Sequence, residues 1–164
     1  MEILYYIPVG LILTYLVVTC LVFKTIPISI SNTYYMWGER GVRMLFTFVM
    51  WAVGVPILIY WVHISPQVYQ FLPFLSISGM LFVGAACAFK ETLTKEVHFT
   101  SAGVWASTAL LYFILRGSYE PIVVGATFGV IGLILNKFTN FTFWAEIACV
   151  VMMIFGIGIL GGIL

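Results

Sequence analysis

The sequence predicts an all-α fold: a polytopic bundle of about six transmembrane helices in one domain, residues 1–164. Three observations predict it. Charged residues make up 8% of the chain, with no Asp among them, against about 25% in a soluble domain whose surface must face water. Apolar residues reach 63% and collect in runs of bilayer length. The few basic residues also fall into alternate loops between those runs.

A bilayer core of ~30 Å takes about 20 apolar residues at a helical rise of ~1.5 Å each. The first run, 3–23, follows Glu2 with no basic stretch before it and no small-residue cleavage site, so it is expected to persist as a span and not as a removed signal. The second run is 44–62, and the third, 68–89, is expected to be helical despite Pro73. Pro56 and Pro73 each remove a backbone donor, which shapes a helix by kinking it. The fourth, 99–115, is more polar, with Thr100, Ser101, Ser107 and Thr108. The fifth, 121–135, would reach only ~22 Å, so it borrows its flanks and is drawn as 119–137. Gly117 and Pro121 break the chain between the fourth and fifth runs. A re-entrant pair in place of these two spans is the competing count. The sixth run is 141–164.

With six spans, Lys24, Arg40, Arg43, Lys90, Lys95 and Lys137 share one side and Arg116 alone lies on the other. Cationic loops stay in the cytoplasm, so both termini are expected on the non-cytoplasmic side of a cell membrane, the bacterial inner membrane. Aromatic residues form two belts consistent with this: Tyr5, Tyr6, Tyr60, Trp61, Tyr69, Tyr112 and Tyr119 outside, Tyr34, Tyr35, Trp37 and Trp144 inside. Tyr15, Trp51 and Trp105 fall deeper and fit neither belt.

Packing between helices in lipid relies on small residues that let backbones approach. Ala102-x-x-x-Ala106, Gly103-x-x-x-Ser107, Gly125-x-x-x-Gly129 and Gly158-x-x-x-Gly162 have that spacing, and Gly79, Gly84, Ala85, Ala86 and Ala88 crowd the third span. Contacts within the bundle are the first reading of these faces, and a second copy or another membrane protein the alternative. Membrane lipids are the expected surroundings.

Several chemistries are argued down. A net charge of +1 offers no basic field for nucleic acid. Cys20, Cys87 and Cys149 lie in apolar runs and read as small hydrophobes. The run Gly156 to Gly161 spells a dinucleotide-binding pattern but lacks the strand and βαβ unit that give it meaning. Asn140-Phe141-Thr142 spells a glycosylation sequon on the predicted cytoplasmic side. His63 and His98 fall at opposite faces, and no Cys or His spacing specifies a metal site, so no metal or cofactor is expected.

Polar groups concentrate on the cytoplasmic side. Glu146 stands about ~8 Å inside the sixth span, where an ionisable group normally faces the bundle or water and finds a partner. Lys90, Arg40, Arg43 or His98 are its candidate partners, either in a structural ion pair or in a ligand- or proton-linked site. Ser29, Ser31 and His98, with Glu146, could form a nucleophile–base–orienter set of hydrolase type. A hydrogen-bonded histidine at a helix end is the plainer reading of His98. No arginine ladder or carbonyl-filter motif marks a channel.

The stretches Ser29-Ile30-Ser31-Asn32-Thr33-Tyr34-Tyr35 and Phe82-Val83-Gly84-Ala85-Ala86-Cys87-Ala88-Phe89-Lys90, followed by Val97-His98, resemble a family of small bacterial six-helix inner-membrane proteins with no assigned activity. That resemblance implies the fold and the membrane but no chemistry. The Ser-then-His order is also faintly similar to the heptahelical ceramidase-like hydrolases. This chain lacks their paired late histidines and has no Asp, so their zinc chemistry does not transfer. The leading expectation is a non-enzymatic membrane protein that binds or passes a small ligand or lipid in the cytoplasmic half of its bundle. A lipid-active hydrolase or transferase and a scaffold subunit are the alternatives.

Overall fold

The computed structural model describes residues 1–87 and 91–164, and every described element is helical. The order is α1 (Ile3–Phe23), α2 (Thr33–Gly38), α3 (Leu45–Ile64), a 3-10 turn (Gln67–Tyr69), α4 (Phe71–Ala86), α5 (Glu91–Leu115), α6 (Glu120–Leu135) and α7 (Phe141–Leu160). Five stretches are long and apolar enough to cross a bilayer: 3–23, 45–64, 67–86, 96–115 and 141–160. The remaining apolar helix, α6, has 16 residues and spans about 24 Å.

Helix ends follow local chemistry. α1 stops at Lys24, which turns left-handed at φ 52°, and Pro27 then blocks any return to helix. Pro66 ends α3, and Pro73 falls in the first turn of α4, where no intrahelical N–H is needed. The expected third span, 68–89, is a 3-10 turn joined to a helix over Phe71–Ala86, and its last two residues lie outside the described residues. Gly117 takes φ +67° between α5 and α6, a conformation that only glycine adopts cheaply.

Successive long helices run antiparallel. One end of the bundle carries both chain termini, and the opposite end carries the 24–44 segment; these are called the terminal end and the loop end. α1 packs on α3, α3 on α4, α4 on α5 and α6 on α7. The α4–α5 contact is backbone to backbone: a Cβ on Gly79 would lie 2.7 Å from the Ser101 carbonyl oxygen and 2.8 Å from the Trp105 nitrogen. Gly125 and Gly129 do the same for α6, against Ala148 and Met152 of α7. Those small-residue faces are therefore spent inside the bundle. Gly103 faces open space, with nothing within 4 Å of a Cβ there.

Two features depart from the sequence reading. The segment read as a polar loop contains α2, and its first half, 26–33, folds inward so that Ile30 and Thr33 are buried. α5 begins at Glu91, eight residues before the expected start at residue 99, which places His98 about two turns inside the helix and not at its end.

Candidate functional site

The site is built where the 26–33 segment meets α1, α5 and α7. Three hydrogen bonds lay the extended residues along the start of α7. The Asn140 side-chain amide donates to the Ile26 carbonyl at 3.0 Å, the Phe143 N–H donates to the Ile28 carbonyl at 3.0 Å, and the Ile30 N–H donates to a Glu146 carboxylate oxygen. Alternate residues thus serve α7, and the Ile28 carbonyl satisfies one of the N–H groups that every helix leaves open at its start.

The next residues are fastened to α1. Tyr15 donates its phenol to Thr33 Oγ1, and Thr33 donates onward to the Ile30 carbonyl. Trp37 of α2 donates its indole N–H to Thr19 Oγ1 at 3.0 Å, while Thr19 itself donates to the Tyr15 carbonyl at 2.8 Å. Thr19 and Thr33 are fully enclosed, so every one of these bonds is shielded from water. Shielded polar groups are costly unless paired, and the pairing fixes how the segment enters the bundle.

Held this way, Ser31 points its hydroxyl at His98 of α5, Oγ to Nε2 3.3 Å, with Ser29 Oγ 3.0 Å from Ser31 Oγ. Ser29 also accepts from the Asn32 N–H at 3.0 Å. Ser29, Ser31, His98 and Glu146 therefore lie in one neighbourhood, spread over three elements. Glu146 bonds to the Ile30 backbone and not to His98, so the nucleophile–base–orienter set has its first two members in contact and no carboxylate orienter among the described residues.

The ion pair read from the sequence takes another form. Arg40 lies over the Phe23 ring, 5.1 Å from its centroid, and Arg43 over the Tyr34 ring at 5.8 Å. Neither is a partner of Glu146, whose hydrogen bond comes from a backbone N–H. A cation over an aromatic face holds its charge near water while covering apolar surface, and that fits residues flanking a span. Lys90 lies outside the described residues.

Below Ser31 and Glu146 runs an apolar cleft bounded by α1, α3, α4, α5 and α7. It extends from those two residues past Val150 and Trp105 to Ile57 near the terminal end. The cleft is tight: its cavity volume is about 20 Å³, room for about one water molecule. Three of its wall residues are methionines, Met50, Met80 and Met153, and Met side chains repack readily around different shapes. The cleft is narrow, oily and deformable, with its polar lining residues at one end and an indole further in.

Sequence reasoning missed the cleft and the inward fold of 26–33. Two signals for them were present. Tyr15 and Trp105, which fit neither aromatic belt, hold Thr33 and line the cleft. The segment also carries Ile26, Pro27, Ile28 and Ile30, an apolar content unlike a solvated loop, and Pro27 and Ile30 are buried. Among the described residues, no group of three or more His, Cys, Asp or Glu side chains gathers as metal ligands would. Cys20, Cys87 and Cys149 are free thiols. Comparison of the chain with protein-family models, curated proteins and solved structures finds no match.

Proposed function

We propose that this protein binds a single-chain amphiphile within the bilayer, its tail in the cleft and its head beside Ser31 and Glu146. On this reading six helices cross a bacterial inner membrane, with the termini outside and the loop end cytoplasmic. α6, shorter than the bilayer core, completes the sixth crossing by local thinning of the bilayer and by its flanking residues reaching for the interface. The observation that carries the reading is the cleft itself: an apolar slot through the bundle whose polar lining, a carboxyl and a hydroxyl, lies at one end. Ligand sites are mostly apolar with few, placed polar groups. The cavity is small as it stands, so a single chain enters as the three methionines repack around it.

The test is lipid retention. Protein in nanodiscs should hold a single-chain amphiphile detectable by native mass spectrometry. Val53→Phe, which fills the slot, should abolish the signal, and Glu146→Gln should weaken it by about tenfold, the scale of one buried hydrogen bond to a charged group. Equal retention by all three folded proteins would overturn the proposal.

The Ser31–His98 contact supports a second reading, a lipid-directed acyl hydrolase in which His98 takes the proton of Ser31. It predicts that a serine-directed fluorophosphonate labels the wild type and leaves Ser31→Ala unlabelled. An unlabelled, folded wild type would remove it.

A further inference from the structure

Among the described residues, three indole N–H groups are buried without an acceptor: those of Trp61, Trp105 and Trp144. An indole N–H is a donor only, and leaving one unmet in a protein interior is costly. Trp61 stacks on Phe113 with centroids 5.7 Å apart, and Trp144 fills the space beside Gly132. Packing accounts for both. Trp105 differs, because it lines the cleft.

Trp105 is 5% exposed, and its backbone is fixed: Ser76 donates to its carbonyl at 3.0 Å, and Gly79 brings α4 against its nitrogen. It stands two turns along α5 from His98, about 10 Å deeper, and helical side chains lean back towards the N-terminal end. That lean is towards Ser31 and Glu146. The cleft therefore has a carboxyl and a hydroxyl at one end and, deeper along its wall, a tryptophan whose indole N–H is unmet.

Charge narrows the occupant. Glu146 is the one ionisable group among the described residues that line the cleft, and none of them is cationic. An anionic head would meet a carboxyl in a medium of low dielectric, where like charges repel strongly. A cationic head would satisfy Glu146 and leave Trp105 unmet. A neutral head bearing a hydroxyl or amide N–H can donate to Glu146, and a carbonyl at the head of the tail can accept from Trp105.

We infer, building on the amphiphile-binding reading, that the ligand is a neutral single-chain acyl ester or amide whose carbonyl accepts the Trp105 indole N–H. The probe is 1-monooleoylglycerol, set against its ether analogue, which lacks the carbonyl, and against oleate, which is anionic. Each is titrated into nanodisc-embedded full-length protein and counted by native mass spectrometry. Wild type should bind the ester about tenfold more tightly than the ether, with oleate weakest. Trp105→Phe should erase the ester–ether gap, and Trp61→Phe should keep it. Equal binding of ester and ether by wild type, a gap that survives Trp105→Phe, or oleate as the tightest ligand overturns this inference and leaves the amphiphile site standing. Failure of all three probes to bind removes both.

Discussion

At the terminal end of the bundle Ser65, Gln70 and Tyr5 find hydrogen-bond partners close by, although the Trp61 indole N–H is unmet, whereas at the loop end a carboxyl and a serine line a cleft and a histidine contacts that serine. Ser65 donates to the Trp61 carbonyl at 2.6 Å and lies 2.7 Å from the Tyr112 phenol, while Gln70 bridges Val62 and Ser65. Tyr5 crosses from α1 to donate to Ile154 of α7 at 3.0 Å. Trp61, Tyr112 and Phe113 interlock as stacked and edge-on rings, and Gly156 lets α7 close over Phe113. The contrast teaches a division of labour. The terminal end supplies the fixed packing that lipid does not drive by itself, and the loop end keeps the polar groups that could do chemistry.

The largest effect should come from breaking the fixed end. Trp61→Ala removes a fully enclosed ring and should cost about 3–5 kcal/mol, read as a lower midpoint in SDS or thermal unfolding. Gly156→Ala sets a methyl within 2.3 Å of the Phe113 ring and should cost about 1–3 kcal/mol by overpacking. Met50→Leu in the cleft wall conserves volume and should cost less than about 1.5 kcal/mol. Equal losses for Trp61→Ala and Met50→Leu would erase the contrast between the ends.

A middle-sized effect sharpens the loop end. Glu146→Leu takes away the acceptor of the Ile30 N–H, and an unmet buried donor costs about 1–3 kcal/mol. Exchange of the Ile30 amide hydrogen should speed up, along with its neighbours in 26–33. Glu146→Gln keeps an oxygen in place and should leave that exchange slow. Fast exchange in the Gln variant, or slow exchange in the Leu variant, would show that the segment is held by something other than this bond.

The contrast also marks how far the sequence could be read. The long helices were legible because lipid imposes one length and one polarity on each. α1 matches its expected bounds to the residue, and α3 begins one residue and ends two residues from expectation. Gly125 and Gly129 were found as packing positions because close approach demands small residues at helical spacing. The site was half legible. Glu146, Ser29, Ser31 and His98 stood out as polar groups near one face, and they do gather. Their arrangement was hidden, because it depends on a non-periodic segment whose bonds are mostly backbone. No residue type advertises that the Ile30 N–H, and not a cation, meets Glu146. Charge alone favoured Arg40 and Arg43, which lie instead over the Phe23 and Tyr34 rings.

The smallest effect tests whether the slot is unfilled space kept for use. Val150→Ile adds one methylene to a cleft-lining position that is 6% exposed. In a tightly packed interior such an addition destabilises, as expected for Gly156→Ala. In the cleft it has room, and the added contacts should stabilise by up to about 1 kcal/mol. The two one-carbon additions should therefore shift the unfolding midpoint in opposite directions. The same Val150→Ile protein should lose affinity for 1-monooleoylglycerol, because the methylene takes space the acyl chain needs. A midpoint that falls with Val150→Ile would mean the cleft is already as tight as the ring cluster around Trp61. A raised midpoint with undiminished binding would place the ligand elsewhere in the bundle.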